Sequence, residues 1–176
     1  RETVRSSFSR LKGAGVDDAL IAALGADDPT IRVEAAAILN LRDAKKAATP
    51  LLKTASTDTD AAVRKEALKA IGSLADSKMC ESLADLMPKA KKSSELRGII
   101  NAIITITRVA SEADAATTTK MLGEKFTASK DAKIKSAILI VASGVGGSDS
   151  LKIVRAATKD TDIAVRTAAV RAMSSW

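Results

Sequence analysis

Small and apolar residues recur along the chain at helical spacing, in blocks that each open on an apolar–basic pair. The pairs are Val4-Arg5, Ile31-Arg32, Val63-Arg64, Leu96-Arg97, Ile134-Lys135 and Val165-Arg166, separated by 27, 32, 33, 38 and 31 residues. Ala35, Ile38 and Leu39 follow the second pair, and Ala67, Ala70, Ile71 and Leu74 the third. Ile100, Ile103 and Ile104 follow the fourth, and Ile138 and Val141 the fifth. This is the spacing of one face of an α-helix. It predicts B helices over 4–12, 31–42, 63–75, 96–110, 134–145 and 165–176. Shorter amphipathic A helices are predicted between them, over Asp17–Gly25, Ala44–Ser56, Lys78–Met87, Ala113–Thr127 and Ser150–Thr158.

Three residues before the apolar member stands a capping residue: Asp28, Asp60, Ser93, Asp131 or Asp162. Their side-chain oxygens can accept from the first free N–H groups of a helix, at about 1 kcal/mol each. In the first block this position is Arg1, which caps nothing. Pro29 suits a first helical position. Breaks are marked by Gly13 and Gly15, Asp43, Asp76-Ser77, Ser111 and Gly144-Val145-Gly146-Gly147, the last read as a flexible join. The chain thus divides into one domain of units 1–15, 16–43, 44–76, 77–111, 112–147 and 148–176. One helix pair cannot bury its own stripe, whereas stacked pairs share a continuous core, so the predicted fold class is all-α, an α-solenoid.

One stretch is nearly duplicated. Asp58-Thr59-Asp60-Ala61-Ala62-Val63-Arg64 returns as Asp160-Thr161-Asp162-Ile163-Ala164-Val165-Arg166. An Asp-x-x-(Val/Ile)-Arg-x-x-Ala helix preceded by a Leu-Leu helix, here Leu51-Leu52, resembles HEAT repeats of the short bacterial type, similar to those of phycobilin lyases. Pro50 resembles the proline that often kinks helix A in that family. The resemblance covers essentially the whole chain and implies a right-handed superhelix with B helices lining its concave face. It also implies a hydrogen-bonded ladder between neighbouring repeats, carried by Asp58 with Arg64 and by Asp160 with Arg166. The other copies depart from the pattern: Ala26, Lys91 and Ser129 hold the acidic position, and Lys135 replaces the arginine. Lysine lacks the planar fork. The ladder is therefore expected to be interrupted between the third and fourth units, with the least regular turn over residues 111–131. No lyase-specific residue can be mapped onto the chain.

Composition changes this picture little. Apolar residues make up 46% of the chain and aromatics 2%, so the core must be aliphatic and Ala-rich. No apolar stretch is long enough to span a membrane, and no secretory or lipidation signal stands out. The single cysteine, Cys80, excludes an internal disulfide and favours a reducing compartment, hence the cytoplasm. The chain starts at Arg1, inside a repeat, and reads as part of a longer protein. Uncapped terminal repeats would then favour end-to-end self-association, with Trp176 as the aromatic to watch.

Catalysis is poorly supplied. There is no histidine and no tyrosine, and Cys80 has no imidazole to activate it. The Asp-Thr-Asp pairs alternate oxygens as calcium loops do, but run straight into helices without the glycine and distal glutamate. Gly144-Val145-Gly146-Gly147-Ser148 lacks the strand and the Lys-Ser/Thr pair of a phosphate loop. No catalytic residue, cofactor or metal is assigned. Charge leaves two readings open. The net charge is +7, and the B helices alone carry thirteen basic residues against Glu34 and Glu66. A basic concave face would suit nucleic acid or another anion. Acidic residues at the B-helix starts nevertheless cancel most of that excess, as the helix dipole favours, and there is no aromatic set to stack on bases. The favoured expectation is a non-enzymatic scaffold with a protein partner, ahead of an anion-binding module and of a structural spacer or accessory domain of a larger enzyme. The candidate groove is the polar stripe Arg97, Asn101, Thr105 and Arg108, with Lys65 and Lys69 beside it.

Overall fold

The computed structural model describes residues 5, 7–8, 10–11, 13 and 15–176. The first B helix, expected over 4–12, and the cap position at Arg1 lie wholly or partly outside the described residues. Ten α-helices follow among the described residues, and no strand. They are α1 (Val16–Ala23), α2 (Pro29–Leu41), α3 (Ala48–Thr57), α4 (Ala61–Leu74), α5 (Cys80–Ala84), α6 (Ser93–Val109), α7 (Glu112–Ala128), α8 (Ala132–Val145), α9 (Gly147–Ala157) and α10 (Ile163–Ser174). The even-numbered members are the B helices and the odd-numbered ones the A helices. The chain packs as two compact units, Arg1–Ala75 and Asp76–Trp176, each with its own core.

In the first unit α2 and α4 pack side by side, with α1 and α3 as their A partners. Leu39, Leu51, Val63 and Ile71 are its fully buried large side chains. In the second unit α6, α8 and α10 stack in the same way over α5, α7 and α9. Its core holds Leu83, Met87, Ile103, Ile106, Leu122, Ile138, Leu139 and Val141. Alanines at the crossings, such as Ala142, Ala157 and Ala169, are also fully buried, which lets helices approach closely without aromatic filling.

The helices begin where short polar side chains offer oxygens. Asp28 accepts from the Thr30 N–H at 2.7 Å, and Asp131 from the Lys133 N–H at 2.7 Å. Asp60 accepts from Ala62 and Val63, and Asp162 from Ala164 and Val165. The expected cap at Ser93 is not formed. Lys92 is the N-cap of α6, Ser93 is already helical, and no side chain of the cap residue takes a helix N–H. Instead Glu95 reaches back to accept from the Lys91 N–H at 2.9 Å. Counted from its cap, α6 therefore places Glu95 where the other B helices place Val63, Ile134 or Val165. Leu96 replaces the ladder residue there, and Arg97 moves one step round the helix.

The doubled aspartates build the ladder differently from the simple pairing expected. Asp58 turns its carboxylate to the preceding repeat: Arg32 Nε donates to Oδ2 at 2.8 Å and Nη2 to Oδ1 at 2.9 Å. Arg64 instead donates through Nη1 to the Asp58 and Thr59 carbonyls, at 2.7 and 2.9 Å. Arg166 holds the Asp160 and Thr161 carbonyls in the same way, at 2.8 and 2.9 Å. The carboxylates also accept from the second aspartate's N–H, Asp58 from Asp60 and Asp160 from Asp162. Burial alone would push the Asp58 carboxyl up. The hydrogen bonds from Arg32 and Asp60, with the charges of Arg32 and Arg64, outweigh it and hold the carboxyl below its ordinary value.

Lysine does not break this ladder. Lys135 donates from Nζ to Asp160 Oδ2 at 2.8 Å and lies 5.1 Å from the centre of the Phe126 ring. That bond, the Asp162 N–H and the Lys135 charge hold Asp160 below its ordinary value. The rung absent between α6 and α8 has another cause. Ser129, with no charge, occupies the acidic position, and its hydroxyl is turned to the Asp131 backbone, accepting from the N–H at 3.2 Å and donating to the carbonyl at 3.5 Å.

The irregular turn is also not where spacing placed it. Residues 112–128 form one unbroken helix, α7, of 17 residues. The irregularity falls in the third A helix, where α5 keeps only five residues between two 3₁₀ turns, Ser77–Met79 and Met87–Lys89. Pro88 stands in the second of these turns, where it has no N–H to continue an α-helix. The glycine-rich join is tight: α8 ends at Val145, α9 starts at Gly147, and both Gly146 and Gly147 have positive φ. Gly144 has a different role. A Cβ there would lie 2.5 Å from Cδ1 and 2.7 Å from Cγ1 of Ile104, so its absence sets how closely α8 approaches α6.

Candidate interaction groove

The B helices present equivalent faces. The fifth and ninth residues after each cap are Lys65 and Lys69 on α4, Arg97 and Asn101 on α6, Ser136 and Ile140 on α8, and Thr167 and Arg171 on α10. At about 100° per residue, positions five and nine share a side of the helix. The expected stripe is thus a single surface of α6: Arg97, Asn101, Thr105 and Arg108 are all exposed. Thr105 is partly occupied, since its hydroxyl donates to the Asn101 carbonyl at 2.8 Å. Lys65 and Lys69 are exposed on α4, in the first unit, where Lys69 Nζ lies 3.6 Å from Glu66 Oε1.

A concave feature of the second unit was not legible in the pattern. A groove of 520 Å³ runs between α8 and α10, lined on one side by Ser136, Ile140 and Ser143 and on the other by Ile163, Thr167 and Arg171. Ala164, Ala168 and Ala172 complete its wall. Small residues on both helices leave the space, while two large apolar residues stand at it in the open: Ile140 is 51% and Ile163 71% exposed. The available signal was the departure of Ile140 and Ile163 from the buried stripe. It is hidden because Ile140 sits inside the run Ile138-Leu139-Ile140-Val141, of which the other three are buried. Val170 and Met173 on α10, and Trp176 just beyond its end, are exposed but do not line the groove.

A smaller hollow of 180 Å³ lies between α5 and α7, beside Cys80, Thr118 and Met121. The Cys80 thiol is held away from the reactive form. Cys80 is buried, its Sγ lies 4.0 Å from Thr107 Oγ1, and burial pushes its pKa up, away from the reactive thiolate. Among the described residues, no three His, Cys, Asp or Glu side chains converge as a metal ion would need.

Stacked helix pairs, Asp-capped B helices and an Arg–Asp ladder between successive pairs together specify one kind of repeat. Residues 18–104 match the family described as HEAT repeats. These are HEAT repeats. The match runs from α1 well into α6, and α8 and α10 repeat the same cap, ladder and core positions beyond it. No curated protein matches the chain. HEAT repeats are typical of interaction scaffolds, and no helix among the described residues is long and apolar enough to cross a membrane.

Proposed function

We propose that the chain is a non-enzymatic interaction scaffold, and that the B-helix face of its second unit is a protein-docking surface. The observation that carries this reading is the α8–α10 groove, with Ile140 and Ile163 exposed over a wall of alanines and serines. Exposed apolar side chains gathered at a concave site cost solubility and gain affinity when covered. The α6 stripe extends the surface with Arg97, Asn101 and Arg108, giving the polar margin that interfaces place around an apolar centre. Acid–base chemistry has little material on this face: a guanidinium is never deprotonated, and hydroxyls and amides need a base to activate them.

The test is a photoreactive amino acid at position 140, irradiated in extract of the source cells, with position 152 on α9 as the control. A protein adduct specific to position 140 is expected. Adducts to nucleic acid alone, or equal labelling at both positions, would overturn the reading.

A further inference from the structure

Within their helical spans the B helices of the second unit carry exposed cations and no exposed carboxylate, the acids Asp131 and Asp162 standing at the helix starts. Glu95 is the sole acidic residue of α6, α8 and α10, and it is buried with its side chain turned to the Lys91 backbone. Arg97, Arg108, Lys133 and Arg171 are exposed, and their side chains form no hydrogen bond or ion pair among the described residues. Counted from the caps they stand at positions two, five, nine and sixteen, within one narrow side of a helix. Away from this face the cations are mixed, for Lys53, Lys120, Arg155 and Lys159 are likewise exposed without a side-chain partner among the described residues, while others are paired. Arg32, Arg42, Lys46, Lys125, Lys135 and Lys152 each hold a carboxylate.

We infer that the α8–α10 groove takes an acidic amphipathic peptide segment, helical when bound. This rests on the scaffold reading and specifies its partner. The apolar side chains of such a segment cover Ile140 and Ile163 and fill the space over Ala168. Its carboxylates meet Arg171 and Lys133 at the groove, then Arg97 and Arg108 along α6. Charge complementarity of this kind sets which partner binds and how fast. Nucleic acid fits the same surface less well. None of the aromatics Phe8, Phe126 and Trp176 lines the groove to stack on a base, and its apolar wall offers a phosphate nothing.

Fluorescence anisotropy with labelled amphipathic helices of about four turns, long enough to be helical once docked, tests this. One probe carries Leu on one face and Glu on the other. A second has Lys for Glu, and a third Ser for Leu. The Glu/Leu peptide is expected to bind alone of the three. Arg171→Glu and Ile140→Asp should each weaken it by about tenfold or more. Lys152→Glu, on α9, should leave it unchanged. The double variant K133E/R171E should gain affinity for the Lys/Leu peptide, a rescue that a merely unfolded protein cannot give, and circular dichroism checks the fold of each variant. Equal binding of the Lys/Leu or Glu/Ser peptide, or displacement by a single-stranded oligonucleotide, would overturn the inference. If no peptide binds while position 140 still crosslinks to protein, the acidic partner falls and the scaffold reading stands. If both experiments fail, both readings fall.

Discussion

Arg32 closes two arms of its guanidinium on the two oxygens of Asp58, at 2.8 and 2.9 Å, across the boundary between successive repeats. Its remaining arm holds the Ala26 and Asp27 carbonyls of its own repeat. The same side chain therefore fixes a helix start and a repeat–repeat contact. Asp58 lies below its ordinary pKa through this pair, and Asp160 through its bond from Lys135. A carboxyl lowered in the fold stabilises it above the unfolded value, about 3.9. That contribution is lost as the pH falls through the lowered, folded value. Asp58→Asn should lower the melting temperature by about 2–5 °C at pH 7. The difference from the parent protein should shrink as the pH falls below about 4. Melting curves across this range check it; a difference that grows in acid would contradict the assignment.

The lysine rung suggests a gain. Lys135 makes one bond to Asp160, whereas Arg32 makes two to Asp58 and two more to carbonyls. Lys135→Arg should raise the melting temperature by about 1–3 °C. Asp160→Asn, combined with it, should remove most of that gain, read from a double-mutant cycle.

Caps separate the true helix starts from the apparent one. Asp60→Ala and Asp162→Ala each remove acceptors for two helix N–H groups and should cost about 1 kcal/mol. Ser93→Ala removes no cap and should stay within about 0.5 kcal/mol of the parent in chemical denaturation.

The approach of α8 to α6 depends on a missing methyl. Gly144→Ala gains helix propensity, yet its Cβ would press on Ile104 at 2.5–3.1 Å. The substitution should destabilise by about 1–3 kcal/mol. Ile104→Ala clears all three contacting atoms, so the double variant should be more stable than the sum of the two singles implies.

Most of the architecture was legible because it is periodic. The apolar blocks after Ile31, Val63, Ile134 and Val165 became α2, α4, α8 and α10, and the aspartates before them occupy helix starts. The pattern misled at Leu96-Arg97, which looks like every other apolar–basic pair. Pattern alone cannot anticipate that Glu95 would be buried and accept from the Lys91 N–H, with the helix start shifted by one residue. The exposed polar stripe of α6, Arg97, Asn101, Thr105 and Arg108, was read from helical spacing. The groove beside α10 was not, since whether Ile140 is core or surface depends on what packs opposite it.

Both rungs of the ladder are short in sequence: Arg32 and Asp58 are 26 residues apart, Lys135 and Asp160 only 25. Each is a loop closed at small entropic expense, and each can form once a single further helix pair has been added. The chain therefore has no need of a distant partner to begin folding. Within each unit order can spread from one pair to the next, in the way a zipper closes, at the speed that local contacts allow.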